Sequence, residues 1–281
     1  MLPFITNLEN YPISQEKLLI FKYPLIKVYE TVDNGIANCM DLIVLNNDPN
    51  LELFDENDKK IMCNASIRKL NCIIDYFEKT EDINISVYND LELIIDLAIY
   101  LKSSEINTLI EKLSNYELNF ECKLFILKYK IINNMKINNN VITELLSNKD
   151  KINKLVNVLE RIDALNLLPI DDIKQDEIAR AEMINWLEYP TELGKKPDSI
   201  ELLGKFDYNG YDCYAYKFKS NDFRIKDYML GVVGGYEKNK ITTNDTGWTF
   251  SKFDLLEDDY MKQAFKLVEF MNDLWEERSN E

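Results

Sequence analysis

The chain contains no histidine. That removes serine–histidine and cysteine–histidine nucleophile pairs, and with them most zinc and non-haem iron sites. Carboxylate, lysine, tyrosine and cysteine chemistry remains. The five cysteines, Cys39, Cys63, Cys72, Cys122 and Cys213, form no CxxC pair. Neither a zinc knuckle nor a thioredoxin-type centre is therefore expected. Cys63 and Cys72 fall in a helical, apolar context and are expected to act as small buried hydrophobes. The acids gather at Asp55-Glu56-Asp58, Asp171-Asp172 and Glu257-Asp258-Asp259. None has the alternating oxygen ligands of a calcium loop. All three fall at expected helix starts, where capping and the helix dipole favour negative charge. Gly231-Val232-Val233-Gly234-Gly235 fits neither GxxxxGK[ST] nor GxGxxG. It lies inside a strand pattern, so a bulge or a close backbone crossing is expected. No metal or cofactor is expected.

These residues need elements to position them, and composition allows a substantial core. Of 281 residues, 46% are hydrophobic and 11% aromatic. The net charge is −16, with 33 basic against 49 acidic side chains. Such a charge repels nucleic acid and anionic membranes and favours a basic protein partner. Met1-Leu2-Pro3-Phe4 lacks the basic and apolar regions of a signal peptide. No uncharged apolar run reaches the roughly 18 residues that suggest a membrane span. Together with the cysteine usage this points to the cytoplasm.

Glycine divides the chain. Of eight glycines only Gly35 precedes residue 190, and all three tryptophans lie in the last hundred residues. The front should be helical and the back should contain strands. Amphipathic stripes run through 25–45, 55–79, 88–102, 117–132 and 149–165. Polar breaks separate them, among them Ser103-Ser104 and Asn138 to Asn140. A last helix covers 175–188. Strands follow at 199–208, 211–219, 228–236 and about 248–253, the first two joined by Asn209-Gly210, a tight hairpin signal. A helix beginning at the 257–259 acids closes the chain. The expected fold class is a mostly α N-terminal region, an antiparallel helix stack over 1–170. A small α+β domain over 171–281 follows, with three or four antiparallel strands and helices on one sheet face.

Trp186 to Pro197 reads WLEYPTELGKKP. Trp186 and Leu187 end a helix, Pro190 pushes Tyr189 out of helical geometry, and Thr191-Glu192-Leu193 makes one turn before Gly194. A helix-to-sheet connection explains all of it. Only Glu192 has a chemically useful side chain, and no partner for it is visible. The pattern WLEYPTELGKKPDSIELL, with MLGVVGGYE and TFSKFD, resembles the C-terminal portion of certain bacterial HEAT-like helical repeat proteins. The likeness covers about the last hundred residues. The resemblance implies an interaction or immunity role, and transfers no catalytic residue. Trp186, Tyr189, Pro190, Thr191, Glu192, Leu193 and Gly194 would then be a structural family motif.

Tyr208, Tyr211, Tyr214, Tyr216, Tyr228, Tyr236 and Trp248 crowd the small sheet. With helices on one face only, some must be exposed, and exposed tyrosine and tryptophan anchor protein interfaces. Tyr208, Tyr211, Tyr214, Tyr216, Tyr236 and Trp248 are thus the candidate binding residues. The expected function is noncovalent binding of another, basic protein, in its concrete form immunity against a basic bacterial toxin. A carboxylate-dependent or metal-assisted hydrolase is the alternative. It would need two or more acids converging in one pocket.

Overall fold

The computed structural model describes residues 56–79, 87–88, 91, 94–95, 98–99, 101–219, 228–244, 247–252 and 259–279. Helices dominate, and a four-stranded antiparallel sheet lies in the C-terminal part. The chain forms two compact units, Met1–Val141 and Ile142–Glu281. The sheet-bearing unit thus begins earlier than residue 171 and includes the helix read at 149–165.

In the first unit lie α1 (Glu56–Lys79), α2 (Ser104–Leu113) and α3 (Phe120–Ile132). The 25–45 stripe lies outside the described residues. Of the 88–102 stripe, residues 88, 91, 94, 95 and 98 are described and helical. Leu91, Ile94, Ile95 and Ala98 pack in one core with Met62, Leu70 and Ile74 of α1, Ile106 and Ile110 of α2, and Ile126 and Tyr129 of α3. Two polar breaks prove to be helix starts. The Ser103 side chain accepts a bond from the Ile106 N–H and caps α2. Asn139 opens α4 (Asn139–Ser147), within which the two units divide. Serine and asparagine favour turns and helix N-caps alike, so their presence alone did not distinguish the two.

The second unit continues with α5 (Ile152–Arg161), α6 (Gln175–Leu187), β1 (Ser199–Tyr208), β2 (Tyr211–Lys219), β3 (Met229–Tyr236), β4 (Trp248–Lys252) and α7 (Tyr260–Ser279). Strand order is β1-β2-β3-β4, all neighbours antiparallel. The acids at helix starts are used unequally. The Asp259 carboxylate accepts from the Lys262 N–H and caps α7. Asp171 and Asp172 lie in a separate 3-10 turn, and the first turn of α6 carries Asp176 and Glu177 instead.

One expectation is overturned: both faces of the sheet are covered. Ala179, Met183 and Leu187 of α6 pack on Tyr214, Tyr216, Phe218, Met229, Val233 and Tyr236. Ala264 and Val268 of α7 pack on Cys213, Ala215, Leu230 and Val232. β2 and β3 are buried along nearly their whole length. A strand apolar on both sides needs a partner on both sides. The 3.6-residue stripe of α7 supplies the second one.

Cys122 and Cys213 are buried, Cys63 is half-buried and Cys72 is exposed, so the last does not act as a core residue. No helix among the described residues is long and apolar enough to cross a membrane.

Candidate functional site

Strand alternation sends Tyr214, Tyr216 and Phe218 to α6 and Cys213 and Ala215 to α7. Tyr214, Tyr216 and Tyr236 are consequently buried and present no binding surface. The hydroxyls of Tyr216 and Tyr236 are placed as structural donors. Tyr216 donates to the Asp176 carbonyl at 2.8 Å. The Tyr236 hydroxyl donates to Glu182 Oε2. Burial holds the Tyr214 hydroxyl up at about 12, assisted by Asp212. Burial also raises Tyr216, and it raises Tyr236, where the Glu182 carboxylate acts in the same direction.

Tyr208 and Trp248 are half-buried on the α7 side. They meet edge to face at 6.5 Å, and Trp248 stacks on Phe250 at 4.9 Å. Tyr208 also meets Phe265 of α7 at 5.6 Å, and Phe206 meets Phe265 at 6.0 Å. Room for these rings comes from small neighbours. Trp248 lies against Gly234, where a Cβ would collide with the indole. Of the six candidate residues only Tyr211 is openly exposed, at 49%. Tyr228 is exposed too, with Lys217 Nζ over its ring at 4.7 Å.

The WLEYPTELG stretch is a fastening. α6 ends at Leu187. The Glu192 and Gly194 amides donate to the Tyr189 carbonyl, and the Leu193 amide to the Leu187 carbonyl at 3.0 Å. Gly194 turns the chain at φ 67°. Leu193 and Trp186 pack against the α6-side core, and Tyr189 stacks outside on Trp186 at 6.5 Å. Pro190 and Thr191 are exposed in the turn. Glu192 does have a partner: Ser251 Oγ of β4 donates to its Oε2 at 2.7 Å. Nearby, Asp150 receives Arg180 Nη1 at 2.6 Å and Lys196 Nζ, tying α6 to the following loop. Burial pushes the Asp150 carboxyl up, but hydrogen bonds from Lys196 and Arg180 outweigh it and hold it below its ordinary value. Replacing Glu192 with Ala should lower the stability of this unit by about 1 kcal/mol, the worth of one hydrogen bond. Tryptophan fluorescence during a thermal melt would read that loss. An unshifted melt would sink the fastening.

Comparison with family models, curated proteins and solved structures returns no match.

Sequence reasoning missed Glu182. It sits on the inward side of α6, four residues after buried Ile178, and is itself buried. A carboxylate at core spacing was the available signal. Its Oε1 accepts the Asn244 N–H at 2.7 Å while Oε2 takes Tyr236. The loop after β3 is held by further polar contacts. Gln175 pairs with both backbone groups of Thr242, at 2.8 and 3.0 Å. Glu160 Oε2 accepts the Thr243 hydroxyl at 3.0 Å. These side chains replace strand ladder bonds for a loop that leaves the sheet. The glycine run before it shows both expected features. Gly235 is skipped between the pairs Cys213↔Gly234 and Asp212↔Tyr236, a bulge with φ 91°. The Gly247 backbone crosses beside it.

Proposed function

We propose that the protein works by noncovalent binding of another protein, through the outer surface of its C-terminal unit. One observation carries this reading. Among the described residues, every exposed large aromatic side chain belongs to that unit: Tyr189, Tyr211, Tyr228, Phe265 and Phe270. The first unit exposes only Ile132 among its described large hydrophobics. Phe270, 59% exposed, sits on the side of α7 away from the buried Ala264 and Val268. Aromatic rings carry most interface energy when a partner desolvates them.

The partner is basic. A net charge of −16 steers such a protein to the surface and repels acidic ones. The concrete form is immunity against a basic bacterial toxin in the cytoplasm. The resemblance of the WLEYPTELG region to immunity-like HEAT-like repeat proteins supports it, with the N-terminal helices as the repeat-like stack.

The test uses the full chain as bait in its native cells, followed by kinetics on the purified partner. A basic protein should be retained. Its association rate should fall steeply between low and physiological salt, as steered encounters do. Phe270→Ala combined with Tyr189→Ala should weaken the complex about tenfold or more with the melting temperature unchanged. Failure to retain any basic protein, or a rate indifferent to salt, would count against the proposal.

A further inference from the structure

Among the described residues β1 has a strand on one side only and, with ten residues, is twice the length of the other edge strand, β4. An edge of that length offers a row of unpaired backbone donors and acceptors. The turn that follows fixes which residues offer them. Asn209 and Gly210 have φ 51° and 90°, the two positive values of a type I′ hairpin. Tyr208 and Tyr211, which flank it, are a hydrogen-bonded pair, and Phe206↔Cys213 is the next. Asp207 lies between these pairs, and Lys205 between Phe206↔Cys213 and Gly204↔Ala215. Their N–H and C=O groups therefore point to the open edge, and both residues are exposed.

The residue types around Phe206 are complementary to their own reverse. We propose that two copies of this chain pair β1 against β1, antiparallel, about a two-fold axis at Phe206, joining two four-stranded sheets into one of eight. In that register Lys205 of each copy stands opposite Asp207 of the other. These two residues register with Tyr214 and Asp212 of β2, so they share the α6 side of the sheet. Lys205 already bonds Asp212 at 3.0 Å, and Asp207 bonds Lys238. Asp207 then lies between Lys238 of its own copy and Lys205 of the other, while Lys205 also holds Asp212, the cross-strand neighbour of Asp207 in its own copy. On the α7 side Phe206 meets Phe206, and Tyr208 stands opposite Gly204, whose missing side chain is filled by Met261 of α7, so the ring meets that methionine at the seam. Phe265, half-exposed and touching both Phe206 and Tyr208, extends this apolar seam onto α7. The bulge at Leu203 ends the pairing after Gly204, so the contact is confined to residues 204–208.

Sedimentation velocity on the full chain at micromolar concentration tests the pairing. The native chain should be dimeric. Asp207→Lys, or Lys205→Asp, places like charges opposite each other twice per dimer and should raise the dimer dissociation constant about tenfold. The double swap, Lys205→Asp with Asp207→Lys, restores opposite charges and should return it close to native. Circular dichroism checks that each variant is folded. Hydrogen exchange on the native chain needs no variant: the Lys205 and Asp207 amides should become protected as concentration rises. A chain that sediments as a monomer throughout would overturn the proposal. So would a dimer in which both amides stay unprotected, or one indifferent to both single substitutions.

Discussion

Between pH 10 and 11 the C-terminal unit should unfold. Tyr214, Tyr216 and Tyr236 all ionise above the ordinary value of 10 in the folded chain, because each is buried. The unfolded chain gives up these protons near 10. Stability from the raised values is complete below pH 10 and is lost as pH climbs toward the folded values. Each group then costs about 1.4 kcal/mol per pH unit. Three tyrosines at pH 11 remove roughly 4 kcal/mol. Cys213, which burial holds at about 12 against an ordinary 9, starts to contribute earlier. The total approaches the 5–15 kcal/mol that a whole domain typically has. Tryptophan fluorescence isolates this unit, since Trp186, Trp248 and Trp275 all lie within it. Its change should coincide with the rise of tyrosinate absorbance. Buried tyrosines that ionise near pH 10 in a chain still folded would refute the account.

Gly235→Val should be the most damaging single substitution in the sheet. At φ 91° a β-branched residue is strained by about 1–3 kcal/mol. Its Cβ would also lie 2.7 Å from the Gly247 Cα, a backbone atom that cannot rotate away. Overpacking adds about 1–3 kcal/mol. A combined loss of about 2–6 kcal/mol should appear as a lower urea midpoint, again read by tryptophan fluorescence. Gly210→Ala is the control, because Gly210 has φ 90° and nothing within 4 Å of the added carbon. It should carry the backbone cost alone. Equal losses at the two sites would mean the crossing at Gly247 is not tight.

The different fortunes of the sequence expectations have a common cause. Asn209-Gly210, the alternation in β2 and the glycine run before Tyr236 were legible because each signal is local. A turn, a face and a bulge are decided within a few residues. Ser103 does stand in a break, but the helices that begin just after it and at Asn139 went unread because a helix cap and a turn use the same residue types. Glu192 appeared isolated because its partner, Ser251, lies 59 residues away. Glu182 went unnoticed because a helical stripe containing one acid looks merely imperfect until Tyr236 and the Asn244 amide are beside it.

By itself the sequence determined the kinds of element, the order in which they occur and the chemistry excluded by a chain without histidine. These follow from backbone preference and side-chain inventory, which each residue carries with it. Tertiary structure alone decided which tyrosines face solvent. Exposure depends on what covers a surface, and α7 returns across the second face of the sheet from beyond β4. Three candidate tyrosines are sealed under α6 and α7 closes the opposite face, while Tyr211, Phe265 and Phe270 are left outside. The edge position of β1 is likewise a property of strand order, because pairing across a sheet is set by long-range contacts.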